Sequence, residues 1–196
     1  MSRFHATTSP CQKQIRQRSQ HLRWRVSPSW ILLPVVFALP ALVQAQFDYT
    51  TNNGAITIIR YSGTSPYSEV TIPSTTNGFP VTSIGDFAFA SITNVISVTI
   101  PEGVTSIGNS AFQSCSTLTS VTIPIGVTNI GDAAFEYDYY LTKITIPNTV
   151  TKIGMRIFAT SGLTVIYFLG NAPGVDSTAF YGVNNVTVYY LPGTTG

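Results

Sequence analysis

A motif returns every 23 residues through the second half of the chain. From Ile100 it reads IPEGVTSIGNSAFQSCSTLTSVT, from Ile123 IPIGVTNIGDAAFEYDYYLTKIT, and from Ile146 IPNTVTKIGMRIFATSGLTVIY, the last one residue short. The first two agree at 12 of 23 positions. Counting back recovers Val81 to Phe89, preceded by Ile72-Pro73 with five extra residues inside Ser74 to Pro80. Counting forward recovers 168–190 with Ala179-Phe180, so the count is five repeats with degenerate ends. A fixed period of this length specifies a solenoid whose coils bury their apolar faces only against one another.

Each repeat predicts its own coil. Leu118-Thr-Ser-Val121-Thr-Ile123 alternates apolar and polar, which at period 2 turns Val121 and Ile123 inward and Ser120 and Thr122 outward. Pro124 has no amide proton and ends that strand. A second extended piece, Val127 to Ile130, is closed by Gly131, expected to take a positive φ at a sharp turn. The pair Ala111-Phe112 recurs as Ala134-Phe135, Ile157-Phe158 and Ala179-Phe180, where small neighbours allow a short helical or 3-10 turn. Rings at this spacing are expected to stack as a buried spine rather than as a ligand platform, and Ile107, Ile130 and Ile153 form a second buried column. The predicted fold is a β-rich repeat solenoid of about five coils. A charged fraction of 9% and an abundance of Thr, Ser, Ile and Val agree with it.

The first 45 residues read differently. They hold Arg3, Lys13, Arg16, Arg18, Arg23 and Arg25, no acid, and the apolar run Trp30 to Val43, broken by Pro34 and Pro40. That run is shorter than the ~20 residues of a spanning helix. Ending in Val43-Gln44-Ala45, it predicts a secretory leader over 1–45 cut after Ala45. An uncleaved membrane anchor is the alternative, and export follows either way. Residues 46–71 are expected to form an N-terminal capping hairpin and lead-in, because β-rich runs flank Asn53-Gly54. The repeats then span 72–190. Residues 191–196 read as an uncapped tail, either a natural end or a truncation, with an open sheet edge able to pair between copies.

Without the leader, 196 − 45 = 151 residues carry Arg60, Lys143, Lys152 and Arg156 against eight acids, a formal charge of 4 − 8 = −4. No basic stripe is left for nucleic acid or an anionic membrane. Both histidines, His5 and His21, and Cys11 also lie in the leader, leaving Cys115 as the one thiol. Histidine-based catalysis, histidine metal sites and paired-cysteine frameworks therefore lack their residues, and no enzyme, cofactor or metal is expected. Glu136 and Asp138 could be paired as glycosidase acids, but two residues apart on one strand they form no cleft. Leu191-Pro192-Gly193-Thr194-Thr195 departs from the sortase signal at its last position, and Asn185-Val186-Thr187 is a formal glycosylation acceptor of little weight.

The pattern I-P-x-x-V-T-x-I-G-x-x-A-F-x-x-C-x-x-L-T-x-V-T from Ile100 to Thr122 resembles the BspA-like class of bacterial leucine-rich repeats, over about residues 72 to 190. Phe47-Asp-Tyr-Thr-Thr-Asn-Asn-Gly54 and Phe168-Leu-Gly-Asn-Ala-Pro-Gly174 are similar to first and last units of secreted members. The resemblance implies a leucine-rich-repeat solenoid, exported, with one strand per repeat on an inner face, used for adhesion or protein binding and not for catalysis. The family's repeat cysteine falls on Cys115. Ile92 and Asp138 fill that column in the adjoining repeats, and the fourth has a deletion there, so Cys115 reads as a small core residue.

Two surfaces are candidates for binding an unknown protein or glycan. The inner-face ladder holds Ser97, Thr99, Ser120, Thr122, Lys143, Thr145 and Tyr167, on five strands spanning only roughly 20 Å. The patch Glu136, Tyr137, Asp138, Tyr139 and Tyr140 replaces small residues of the other repeats with three tyrosines and two acids. Its alternative reading is that it merely covers the adjacent coil. The predicted function is a secreted or surface-displayed interaction or adhesion module. A structural spacer in a larger envelope protein, or a glycan-recognition module built on Tyr137, Tyr139 and Tyr140, is the alternative.

Overall fold

The structure is a computed structural model that describes residues 46–174 and 176–194. The leader over 1–45, and the last two residues of the predicted tail, lie outside the described residues. Among the described residues thirteen short strands follow one another: β1 (Phe47–Asn52), β2 (Ala55–Tyr61), β3 (Ser68–Thr71), β4 (Thr75–Thr76), β5 (Phe79–Ile84), β6 (Val95–Thr99), β7 (Ser106–Ile107), β8 (Ser120–Thr122), β9 (Asn129–Ile130), β10 (Lys143–Ile146), β11 (Lys152–Ile153), β12 (Val165–Phe168) and β13 (Thr187–Tyr190).

Successive coils lay these strands side by side. β1 and β2 pair antiparallel around Asn53-Gly54, both with positive φ, and β2 then starts a parallel run through β5, β7, β9 and β11. The five extra residues before the first full motif make a small loop in which β4 pairs antiparallel with β5 across Asn77-Gly78. The strands of the alternating motif pair in parallel at the repeat spacing, Ser97 with Ser120 and Thr99 with Thr122. These form two three-stranded sheets, β3-β6-β8 and β10-β12-β13.

The core is a set of columns, one residue from each coil. Tyr61, Phe89, Phe112, Phe135, Phe158 and Phe180 stack with ring centroids 5.0 to 5.8 Å apart. The expected spine is therefore present, with six levels rather than five. The first coil escapes the sequence count because it carries Tyr61 where the others carry phenylalanine. Valines 81, 104, 127 and 150 and isoleucines 84, 107 and 130 are buried beside it. Each large side chain so covered contributes about 1.5–3 kcal/mol.

Two local expectations are corrected. The Ala-Phe segments form no helix among the described residues. Two residues per coil stand in the left-handed region there: Phe87 and Ser91, Ser110 and Ser114, Ala133 and Tyr137, Arg156 and Thr160. That conformation costs a non-glycine residue about 1–2 kcal/mol and forbids a helix. It is held because it turns backbone amides along the stack: Ser110 donates to the Asp132 carbonyl at 2.7 Å, Phe112 to Ala134 at 2.9 Å and Ser114 to Glu136 at 2.8 Å. Three bonds of about 1 kcal/mol each offset the strain.

Gly131, second, does not have the positive φ expected of it. It is required because coils approach closely: a Cβ there would lie 2.6 Å from the Asn109 backbone nitrogen, and Gly108 and Gly154 face the same obstruction. Beside this column, the side-chain oxygens of Asp86, Asn109 and Asp132 each accept the amide of the next coil at 2.7 to 2.8 Å.

Candidate functional site

Side chains at the outward positions of the motif strands form the first candidate surface. Strand pairing aligns Ser97 with Ser120 and Thr99 with Thr122, and separately Lys143 with Val165 and Thr145 with Tyr167. Thr99, Ser120, Thr122 and Lys143 are exposed, while Ser97, Thr145 and Tyr167 are half-buried. The hydroxyl-bearing half and the Lys143 half thus sit on different three-stranded sheets.

The Lys143 half is the chemically distinctive one. Its Nζ lies 4.7 Å from the centroid of the Tyr167 ring, and Tyr167 stacks on Tyr189 at 5.0 Å with 12° between planes. A cation and two rings therefore run across β10, β12 and β13. An exposed cation–π contact adds only about 0.5–1 kcal/mol, so its main effect is to orient the ammonium group. Sequence reasoning missed Tyr189, although it stands 22 residues after Tyr167, the shortened repeat length already seen in the preceding coil.

The tyrosine turn is divided by the fold. Tyr139 and Tyr140 are exposed, Tyr137 is half-buried, and the Tyr137 and Tyr139 rings lie 6.4 Å apart. The two acids do not join them on the surface. Glu136 is buried and braces three coils: its Oε2 accepts from Gln113 Nε2 at 2.7 Å, and its Oε1 accepts from Arg156 Nε at 2.9 Å and from Arg156 Nη2. Arg156 was not part of the predicted patch.

Asp138 is fully buried in the Cys115 column. Its Oδ1 accepts the Cys115 amide at 2.8 Å and its Oδ2 has no partner. Desolvation pushes its carboxyl up to about 8, against the opposing pull of the Cys115 amide. Burial, then the neighbouring Asp138, push the Cys115 thiol well above its ordinary range, and its Sγ donates to the Phe89 carbonyl at 3.0 Å. Cys115 is thus an unreactive core group.

The expected deletion in this column lies one position later. Ser161 occupies the column, its amide donating to Phe158 as Cys115 donates to Phe112. The shortened coil closes at Gly162, where a Cβ would collide with the Tyr139 carbonyl.

The described residues hold no cluster of three or more His, Cys, Asp or Glu able to bind a metal. The cavity at the far end of the repeats, about 600 Å³, is an open hollow lined by Asn148, Leu169, Ala172, Pro173 and neighbours, away from both candidate surfaces.

Comparisons with known proteins agree with this architecture. No curated protein matches the chain. A leucine-rich repeat protein from Bacteroides capillosus is 28% identical with a TM-score of 0.53, over 74% of this chain and 94% of that one. The T. pallidum leucine rich repeat protein TpLRR is 24% identical with a TM-score of 0.58, over 74% and 79%. The pneumococcal vaccine antigen PcpA is 19% identical with a TM-score of 0.56, over 76% and 49%. Six copies of the BspA type leucine rich repeat region match residues 56–187, and the chain belongs to that family.

Proposed function

We propose that this chain is an exported, non-catalytic protein-interaction module that binds its partner through the outward face of the motif strands. The observation that carries the reading is the Lys143–Tyr167–Tyr189 stack, an oriented cation beside two rings on an otherwise small, hydroxyl-bearing surface. Tyrosines of this kind concentrate binding energy because they offer large area at little conformational cost. Export rests on the leader composition of 1–45, and membership in a bacterial repeat family supports a place at the cell surface or in the medium.

Glycan recognition by the tyrosine turn is the second reading, favoured by the exposure of Tyr139 and Tyr140. Probing a protein array and a glycan array with the purified chain separates the two. Protein ligands without glycan ligands are the expected result, and glycan ligands alone would overturn the proposal.

A further inference from the structure

The motif strands of neighbouring coils are joined by backbone hydrogen bonds at every step but one. Ile72 donates to Thr99 at 3.0 Å, Ile100 to Thr122 at 3.2 Å, Thr119 to Ile96 at 2.8 Å and Thr164 to Thr142 at 2.9 Å. The matching bonds between β8 and β10 would run from Ile123 to Thr145 and from Thr142 to Thr119. Neither forms, and among the described residues these two strands are not paired.

A slit of about 390 Å³ opens between them, lined by Ser120, Val121, Thr122, Ile123, Lys143 and Thr145. Its apolar floor shows: Val121 and Ile123 are 7% and 8% exposed, against 1% and 2% for Val98 and Ile100 one coil earlier and 2% and 0% for Ile144 and Ile146 one coil later. On the opposite side of the same coils the ladder is intact through β7, β9 and β11.

The geometry points to this slit as the seat of an extended peptide segment of a partner protein, an inference that rests on the strand-face reading above. Facing strand edges with free N–H and C=O groups are complementary to one kind of ligand, another main chain, because only a strand presents donors and acceptors at the same alternation. Seating one between the lips requires roughly twice the ~4.8 Å strand spacing. The coils must therefore spread on this side while β7, β9 and β11 keep them joined on the other. Lys143 stands at the lip, and among the described residues it forms no ion pair. It favours a segment carrying a carboxylate.

The test uses short peptides displayed as a random library and selected on the full chain. To close the slit, Thr122→Cys and Thr145→Cys are combined with Cys11→Ser and oxidised. Selected peptides are expected to contain an acidic residue, to bind the oxidised variant at least roughly tenfold more weakly, and to regain affinity on reduction. Resynthesis with N-methylated amides at alternate residues is expected to abolish binding, a readout independent of the variant's folding. Hydrogen exchange of the unliganded chain should show the Ile123 and Thr142 amides exchanging faster than Ile100 and Thr119, their bonded counterparts one coil earlier. Equal exchange, equal binding to the closed slit, retained binding of the N-methylated peptide, or recovery of no peptide, which would leave the slit to water, each overturns the inference. Binding lost in Lys143→Ala/Tyr167→Ala but untouched by closing the slit would overturn the slit alone and leave the strand-face proposal standing.

Discussion

The turn side and the strand side of these coils obey the same period but tolerate different things. On the turn side the ring column runs unbroken from Tyr61 to Phe180, and left-handed residues, close-approach glycines and inter-coil amide bonds recur with it. On the strand side the ladder is interrupted between β8 and β10, and outward residues change from serine to lysine to valine down one column. Packing fixes the first side because its ring and glycine columns are enclosed by the adjoining coils. The second is free to vary because its outer half meets only solvent, and that freedom is what a recognition surface needs.

The comparison breaks most visibly at the ring column. Phe135→Ala removes a fully buried ring stacked on both sides and is expected to cost about 3–5 kcal/mol in chemical denaturation. Because each coil is stabilised by its neighbours, the loss should lower the cooperativity of unfolding as well as its midpoint.

Proton linkage at Asp138 gives the next largest effect. Its folded carboxyl titrates at about 8, far above the ordinary 3.8, so the folded chain holds a proton that the unfolded chain releases. Stability from this group is complete below about pH 4, declines as pH rises above it, and is lost once pH passes about 8. Denaturation at successive pH values should show this decline, and Asp138→Asn should flatten it. A pH-independent wild type would contradict the buried, half-satisfied carboxyl.

Smaller effects sharpen the contrast. Ala133 has φ 53, so Ala133→Gly should relieve left-handed strain and raise stability by up to about 1 kcal/mol. Ser120→Ala on the strand side should move the denaturation midpoint by less than about 0.5 kcal/mol equivalent.

Sequence reasoning reached the columns because repetition exposes them: Phe112 and Phe135 are legible as buried from their spacing alone. It missed what three-dimensional closeness decides. Gly131 reads as a turn residue until the Asn109 backbone is seen against it. The helical expectation failed because two left-handed residues per coil are spread over Phe, Ser, Ala, Arg, Tyr and Thr, types that carry no marker for that conformation. For Asp138 the signal was present and misapplied. It stands 23 residues after Cys115, so the column that made Cys115 a core residue also buries Asp138, whereas the patch reading set it on the surface with the neighbouring tyrosines. Nothing in the residues of β8 and β10 marks their separation.

The proposed function depends on which side of the coil meets a partner. The decisive measurement is the affinity of a protein recovered from the array for the wild type, for Lys143→Ala/Tyr167→Ala and for Tyr139→Ala/Tyr140→Ala, each shown to keep its denaturation midpoint. The account predicts a loss of at least about tenfold, or about 1.4 kcal/mol, in the strand-face variant and little change in the other. Loss confined to the Tyr139 and Tyr140 variant would contradict it.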